Sequence, residues 1–172
     1  MTRALLSIGS NLGDRWAYLK EALSALSGTV SGVYETPPWG DADQPAYLNA
    51  AVLVSDPAAD AGTWLERAHS LEVAAGRVRD PERRFGPRTL DVDVIAVWDG
   101  DDKPVLSADP ELTLPHPRAH QRAFVLKPWL DIDPHAELPG HGPVAVLLAT
   151  PELAADTHAL TPRPDLPLES QL

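Results

Sequence analysis

The chain has 172 residues, no cysteine, and 14 basic against 25 acidic side chains, for a formal net charge of −11. That length is one domain's worth, enough to bury about two-thirds of the surface the unfolded chain exposes. The charge argues against non-specific nucleic-acid or anionic-membrane binding, and the absent thiols exclude disulfides and cysteine-ligated zinc.

No cleavage-site pattern opens the sequence, and no run approaches the roughly 18 apolar residues of a membrane span, so a cytoplasmic protein is expected. Ala4 to Ile8 predicts a first strand, broken by the turn-forming Gly9-Ser10-Asn11-Leu12-Gly13-Asp14. Trp16, Leu19, Leu23 and Leu26 then recur at helical spacing and predict an amphipathic helix over residues 14–27. The glycine loop between them has neither a Gly-Lys-Ser/Thr ending nor the Gly-x-Gly-x-x-Gly spacing, and reads as a structural strand-to-helix turn rather than a phosphate cradle.

Strands are predicted over residues 29–35 and 46–54, with an ordered loop at Thr36-Pro37-Pro38-Trp39-Gly40 between them. A second helix over residues 60–75 carries the apolar stripe Ala61, Trp64, Leu65, Ala68 and Leu71, and a strand over 90–98 follows. The order strand, helix, strand, strand, helix, strand is that of a ferredoxin-like α+β sandwich, with helices on one face of an antiparallel sheet. Further on, residues 99–102 predict a turn, Val105-Leu106 the opening of another strand, and Phe124 to Ile132 a short helix interrupted near Pro128. The expected organisation is a single domain over residues 1–150 and a proline-bearing tail over 151–172 with little structure of its own.

The chemistry concentrates between Gly76 and Asp93. Five arginines, Arg77, Arg79, Arg83, Arg84 and Arg88, crowd a glycine- and proline-punctuated stretch, and Asp91 and Asp93 alternate with Leu90, Val92, Val94 and Ala96 in the strand behind it. Period-two alternation sets the two carboxylates on one side, roughly 7 Å apart at Cα, where both can converge on one or two hard divalent cations. Magnesium suits a few carboxylates completed by water and phosphate oxygens, and arginine is a planar fork of donors for phosphate. Together they describe a polyphosphate-transfer site. In the strand over 46–54, Tyr47 and Asn49 share a face opposite Leu48, Ala50, Val52 and Val54, and Asn49 offers a donor and an acceptor to a ligand.

The motifs GRVR, GPRT and LDVDVI, in that order, resemble the 6-hydroxymethyl-7,8-dihydropterin pyrophosphokinase family, which moves a diphosphate from ATP to a pterin alcohol. The segments Thr36-Pro37-Pro38-Trp39-Gly40, Asp43 to Val52, Leu114-Pro115-His116-Pro117-Arg118 and Arg122 to Leu126 extend the likeness over roughly residues 5 to 135. The resemblance implies that Thr36, Pro38, Tyr47, Asn49 and Phe124 line a pterin pocket, with Phe124 stacking on the ring. It implies that Glu72, Arg77, Arg88, His116 and Arg122 serve ATP, and that Asp91 and Asp93 hold two magnesium ions. Arg79 and Arg84 would bring charge to the transferring group from a closing loop, and Asp93 is the nearest candidate to accept the hydroxyl proton. The substrates so implied are ATP and 6-hydroxymethyl-7,8-dihydropterin, acted on by a monomer with no nucleic-acid or membrane partner. The chain departs from the family pattern in having Phe85 where tryptophan is common, a longer stretch over 80–84, and His69 where glutamine is expected. A pocket that binds without turnover and a nucleic-acid-binding sandwich are the competing expectations.

Overall fold

In the computed structural model, which describes residues 1–37, 43–76 and 88–168, the first strand does not stop at the predicted glycine. It runs as β1 (Thr2–Ser10) through Gly9 and Ser10, because one neighbouring strand pairs with it as far as Gly9 and the other as far as Ser10. Then follow α1 (Arg15–Ser24), β2 (Gly28–Val30), β3 (Tyr34–Thr36), β4 (Tyr47–Asp56), α2 (Ala61–Ala74) and β5 (Asp91–Asp99). These two helices start where a side chain satisfies an otherwise orphaned amide: Asp14 accepts from the Ala17 N–H, and Asp60 forms a reciprocal capping box with Thr63.

The main sheet is antiparallel in the order β3-β4-β1-β5, the ferredoxin-like arrangement, and β2 precedes β3 along the same edge of β4. The strand predicted over 29–35 is therefore two short pieces. Between them the Ser31 hydroxyl and carbonyl-facing amide both turn to Ala51: Ser31 Oγ accepts the Ala51 N–H and the Ser31 N–H donates to the Ala51 carbonyl. Leu6, Ile8, Leu48, Val52, Val92 and Val94 face α1 and α2, burying Leu19, Leu23, Trp64 and Ala68 in the first core.

The predicted alternation along β5 fails at one position. A register shift opposite Leu5 and Leu6 places Ile95 and Ala96 together in the second core, so Ala96 does not share a side with Leu90, Val92 and Val94. A bulge of this kind inserts one residue and turns the strand after it. Asp91 and Asp93 precede it and keep the predicted common face.

The remaining chain forms β6 (Ser107–Asp109), β7 (Leu112–Leu114), a 3-10 turn at Ala119–Gln121, α3 (Ala123–Ile132), β8 (Glu137–Leu138), β9 (Gly142–Pro143), α4 (Val144–Leu148), α5 (Pro151–His158) and β10 (Thr161–Pro162). The strand expected at Val105 starts at Ser107 instead; Val105 donates its N–H to the Val97 carbonyl on the β5 edge. The helix over 123–132 is not interrupted at Pro128: packing of Val125, Leu126 and Trp129 against Leu5, Ala51 and Ile95 outweighs a proline cost of about 3 kcal/mol. Helices α3, α4 and α5 thus cover the second face of the sheet.

Residues after 150 carry more structure than the sequence suggests. Pro151 sits in the first turn of α5, Leu153 is buried in the second core, and β10 adds a strand to the free edge of β3. Leu168 enters the first core.

Candidate functional site

The face of the sheet under α3 is covered at one end only. Leu5, Ala51 and Ile95 lie beneath the helix, whereas the end nearest the start of α3 presents Thr36, Asn49, Gly9, Asp91 and Asp93 from four different strands. Arg122 and Phe124 rise over it from the first residues of α3 and its cap. The result is a cleft of about 240 Å³ lined by Thr36, Pro37, Tyr47, Asn49, Arg88, Asp91, Asp93, His116, Pro117, Arg118, Arg122 and Phe124.

Gly9 stands in the sheet between two of these lining residues, paired with Asn49 on one side and with Asp91 on the other. A Cβ added there would lie 2.5 Å from Asn49 Oδ1, so only glycine leaves the amide its place. Asn49, almost fully buried, donates from Nδ2 to Thr36 Oγ1 at 2.8 Å. That bond orients the amide, and Asn49 and Thr36 together present a fixed polar edge to the cleft.

A second cleft, about 290 Å³, lies against α2 and the β6–β7 hairpin and is lined by Leu65, His69, Glu72, Val92, Val94, Pro110, Glu111, Leu112 and Thr113. Arg88, Asp91, Asp93, His116 and Pro117 line both clefts. The two spaces meet at the carboxylates.

Those carboxylates are held by opposite charge. Arg88 Nη1 lies 3.1 Å from Asp91 Oδ1, and Arg122 Nη1 lies 3.7 Å from Asp93 Oδ2. Burial, and next the Asp91 charge, push the Asp93 carboxyl up to about 7, against the opposing pull of Arg122 and Arg88. On Arg88 burial opposes the charge, but Asp91, Tyr47 and Asp93 outweigh it and the guanidinium is raised.

His116 is set in place by its own backbone, whose N–H donates to the Ile95 carbonyl on the outer edge of β5. Its Nδ1 accepts the Arg118 N–H at 3.1 Å, which requires that nitrogen to be unprotonated. Burial first, then Arg122, push the ring down to about 4. A neutral imidazole therefore faces both clefts.

Glu72, buried on α2, accepts the Val92 N–H at 3.1 Å. That amide lies between Asp91 and Asp93 on the edge strand, so the bond anchors the carboxylate-bearing backbone to α2. The geometry thus attaches Glu72 to the strand as well as to the second cleft.

Nine of the predicted site residues converge on the first cleft: Thr36, Tyr47, Asn49, Arg88, Asp91, Asp93, His116, Arg122 and Phe124. Pro38, Arg77, Arg79, Arg84 and Phe85 lie outside the described residues. Gly9, Asn11 and Arg118 were not singled out for a role by the sequence. Asn11, 1% exposed, accepts the Arg88 N–H and donates to Gln44 Oε1 and the Pro45 carbonyl. The position of Gly9-Ser10-Asn11 at the end of the central strand is the one signal that could have marked it.

Asp91 and Asp93 offer hard oxygen donors to a metal. Among the described residues no group of three or more His, Cys, Asp or Glu gathers around one point. Two carboxylates suit magnesium, which takes few protein ligands and completes its shell with water and substrate phosphates. The donor set fits a metal that arrives with a polyphosphate.

Comparison with known proteins identifies the family of the chain. The model of the family "7,8-dihydro-6-hydroxymethylpterin-pyrophosphokinase (HPPK)" matches residues 5–134. A 2-amino-4-hydroxy-6-hydroxymethyldihydropteridine pyrophosphokinase of Mycobacterium bovis is 44% identical over 99% of this chain and 95% of its own length. The protein of the same name from Mycobacterium leprae is 51% identical over 80% of this chain and 75% of its own. Among solved structures, the Plasmodium falciparum HPPK-DHPS A437G/K540E protein with pterin and p-hydroxybenzoate superposes with a TM-score of 0.60 at 12% identity, over 94% of this chain. The chain spans 47% of that longer protein, and at this identity the likeness concerns the fold.

Proposed function

Since the chain belongs to the 7,8-dihydro-6-hydroxymethylpterin-pyrophosphokinase family, we propose a division of labour between its two clefts in which the first takes the pterin and the second the nucleotide. The reaction is the ATP-dependent transfer of a diphosphate to the hydroxymethyl group of 6-hydroxymethyl-7,8-dihydropterin, in folate biosynthesis. One observation carries the assignment of sites: Arg88, Asp91, Asp93 and His116 line both clefts, so a group passing between two bound substrates crosses the shared wall.

On this reading Asn49, fixed by Thr36, hydrogen-bonds the amide edge of the pterin, while Phe124 and Tyr47 supply ring contact. The substrate hydroxyl attacks the β-phosphorus in line and gives up its proton, with Asp93 the nearest acceptor; an O–Pβ bond forms, the bridge to the α-phosphate breaks, and AMP leaves. Positioning and charge carry such a step more than any one base does. Arg88, Arg122 and the neutral His116 grip phosphate oxygens, His116 by donating from Nε2 while Nδ1 remains bonded to Arg118.

The enzyme class implies a divalent cation such as Mg²⁺. Asp91 and Asp93 hold it, as two ions in our reading, and it supplies neutralisation of the triphosphate charge. Glu72 belongs to the nucleotide side through its cleft and through the Val92 bond. The family likeness assigns Arg77, Arg79 and Arg84 to the phosphates and Pro38 to the pterin, all four outside the described residues. No helix of the described residues is long and apolar enough to cross a membrane. A cytoplasmic monomer acting on small molecules, without nucleic-acid or membrane partners, fits the charge of −11.

The test is AMP formation from magnesium and ATP with and without 6-hydroxymethyl-7,8-dihydropterin, following the pterin diphosphate. AMP in step with that product is expected. Binding of both ligands without product would replace the enzyme by an inactive binding module.

A further inference from the structure

Strand β3 has only three residues, yet it carries Thr36 and leads into Pro37, two walls of the first cleft. So short a strand is held by what surrounds it. Its outer edge is closed by the end of the chain: Thr161 pairs with Glu35, Pro162 with Tyr34, and the Arg163 N–H donates to the Val33 carbonyl at 2.8 Å. One of its faces is tied to α3, where the Tyr34 hydroxyl donates to Asp131.

Its other face is tied by charge. Glu35 Oε2 receives Arg163 Nη1 at 2.7 Å and Arg15 Nη1 at 3.3 Å, and the same Arg15 nitrogen donates to the Ala46 carbonyl at 3.0 Å. Glu35 is thus the link between the terminal segment, α1 and the residues entering β4. Arg163 is itself held by a two-point contact with Asp165, through Nε at 3.0 Å and Nη2 at 2.9 Å. Beyond it the Pro167 carbonyl accepts the Trp16 Nε1–H at 3.1 Å, which completes a strap from the sheet edge back to α1.

From these contacts we propose that Arg163 is a positioning residue for the pterin cleft: through Glu35 it fixes the backbone that presents Thr36 and Pro37, and so sets pterin affinity without touching the ligand. The second cleft shares no wall with β3 or with this strap, so nucleotide affinity should be spared. A planar fork meeting Glu35 and Asp165 at once cannot be replaced by a single ammonium. The proposal rests on the assignment of the first cleft to the pterin.

The experiment titrates 6-hydroxymethyl-7,8-dihydropterin into wild-type, Arg163→Ala, Arg163→Lys and Glu35→Gln proteins saturated with magnesium and an ATP analogue whose α,β bridge is methylene. Nucleotide affinity and the melting temperature are measured in parallel. Loss of pterin affinity by about three- to tenfold in all three variants is expected, the scale of one partly exposed charged hydrogen bond, with nucleotide affinity held within about twofold. Unchanged pterin affinity in Arg163→Ala and Glu35→Gln, or equal losses for both ligands, would overturn the positioning role. A wild-type protein that binds the nucleotide analogue but not the pterin would overturn the cleft assignment itself.

Discussion

Asn11 and Arg88 are joined by two hydrogen bonds in opposite senses: Asn11 Oδ1 accepts the Arg88 N–H at 2.7 Å, and the Asn11 N–H donates to the Arg88 carbonyl at 3.0 Å. The same side chain donates to Gln44 Oε1 at 2.6 Å and to the Pro45 carbonyl at 3.1 Å. One buried amide therefore secures an arginine common to both clefts and the segment that enters β4. Asn11→Ala removes three side-chain hydrogen bonds, to the half-buried Arg88 N–H, to Gln44 and to the Pro45 carbonyl, at about 0.5–1.5 kcal/mol for each bond lost. The expected outcome is a loss of about 2 kcal/mol or more in urea unfolding, together with at least tenfold lower kcat/KM. Asn11→Asp keeps the acceptor for Arg88 but sets a carboxylate against the oxygens of Gln44 and Pro45, and should rescue neither property.

Asp93 stands in an environment that disfavours its charge when no metal is present, since burial and Asp91 push its carboxyl up to about 7. An amide of the same shape removes that charge. Asp93→Asn is expected to unfold in EDTA at a midpoint no lower than wild type, while its magnesium-dependent turnover falls by about 100-fold or more. Calorimetry should show magnesium binding tightly only with the ATP analogue, because the protein alone offers two carboxylates already engaged by Arg88 and Arg122. Near-normal turnover in this variant would remove Asp93 from the metal site.

The shared face of Asp91 and Asp93 and that of Tyr47 and Asn49 were legible because alternation is a local property of a strand. The change of face at Ala96 was not, since a bulge depends on how β1 and β5 pair. Asn11 escaped for a similar reason: its bond to Arg88 spans 77 positions, and nothing in a turn-forming sequence says which distant amide it will serve. Residues 151–168 looked unstructured because α5 and β10 are short and proline-flanked, with weak intrinsic preference. Their order comes from Leu153 in the core and Arg163 at the sheet edge, contacts that only the folded chain creates. The family likeness supplied Glu72, but its bond to the Val92 N–H belongs to the outer edge of a sheet and has no sequence signature.

His116 gives the fold a pH dependence of definite sign. Its folded value, about 4, lies below the ordinary 6.5, so the unfolded chain takes up the proton first. The resulting stability is fully present above pH 6.5 and is lost as the pH falls through 6.5 toward 4. Allowing for its partial exposure, about 2 kcal/mol should disappear between pH 7.5 and 4.5 on this account. Because other groups titrate in the same range, the quantity to measure is the difference between wild type and His116→Asn. The asparagine keeps an acceptor for Arg118, so the wild-type advantage should shrink by that amount on acidification. A difference that is constant across the range would mean that the ring titrates normally.

Gly9 yields a prediction that separates the two clefts. A methyl group at this position meets Asn49 Oδ1 at 2.5 Å and the Tyr47 ring at 3.4 Å, while no atom of the second cleft's lining is among its three nearest contacts. The first contact is the end of a side chain, so the backbone pairing of β1 with β4 and β5 can survive while the Asn49 amide moves off Thr36. Gly9→Ala should therefore fold, retain its affinity for the ATP analogue within about twofold, and lose pterin affinity by about tenfold, which corresponds to roughly 1.4 kcal/mol, one well-placed hydrogen bond. Combining it with Asn49→Ala removes the atom it collides with. If displacement of the amide is the whole effect, the double variant should bind pterin no more weakly than Asn49→Ala alone; a further loss would mean that the methyl group also blocks the ligand directly.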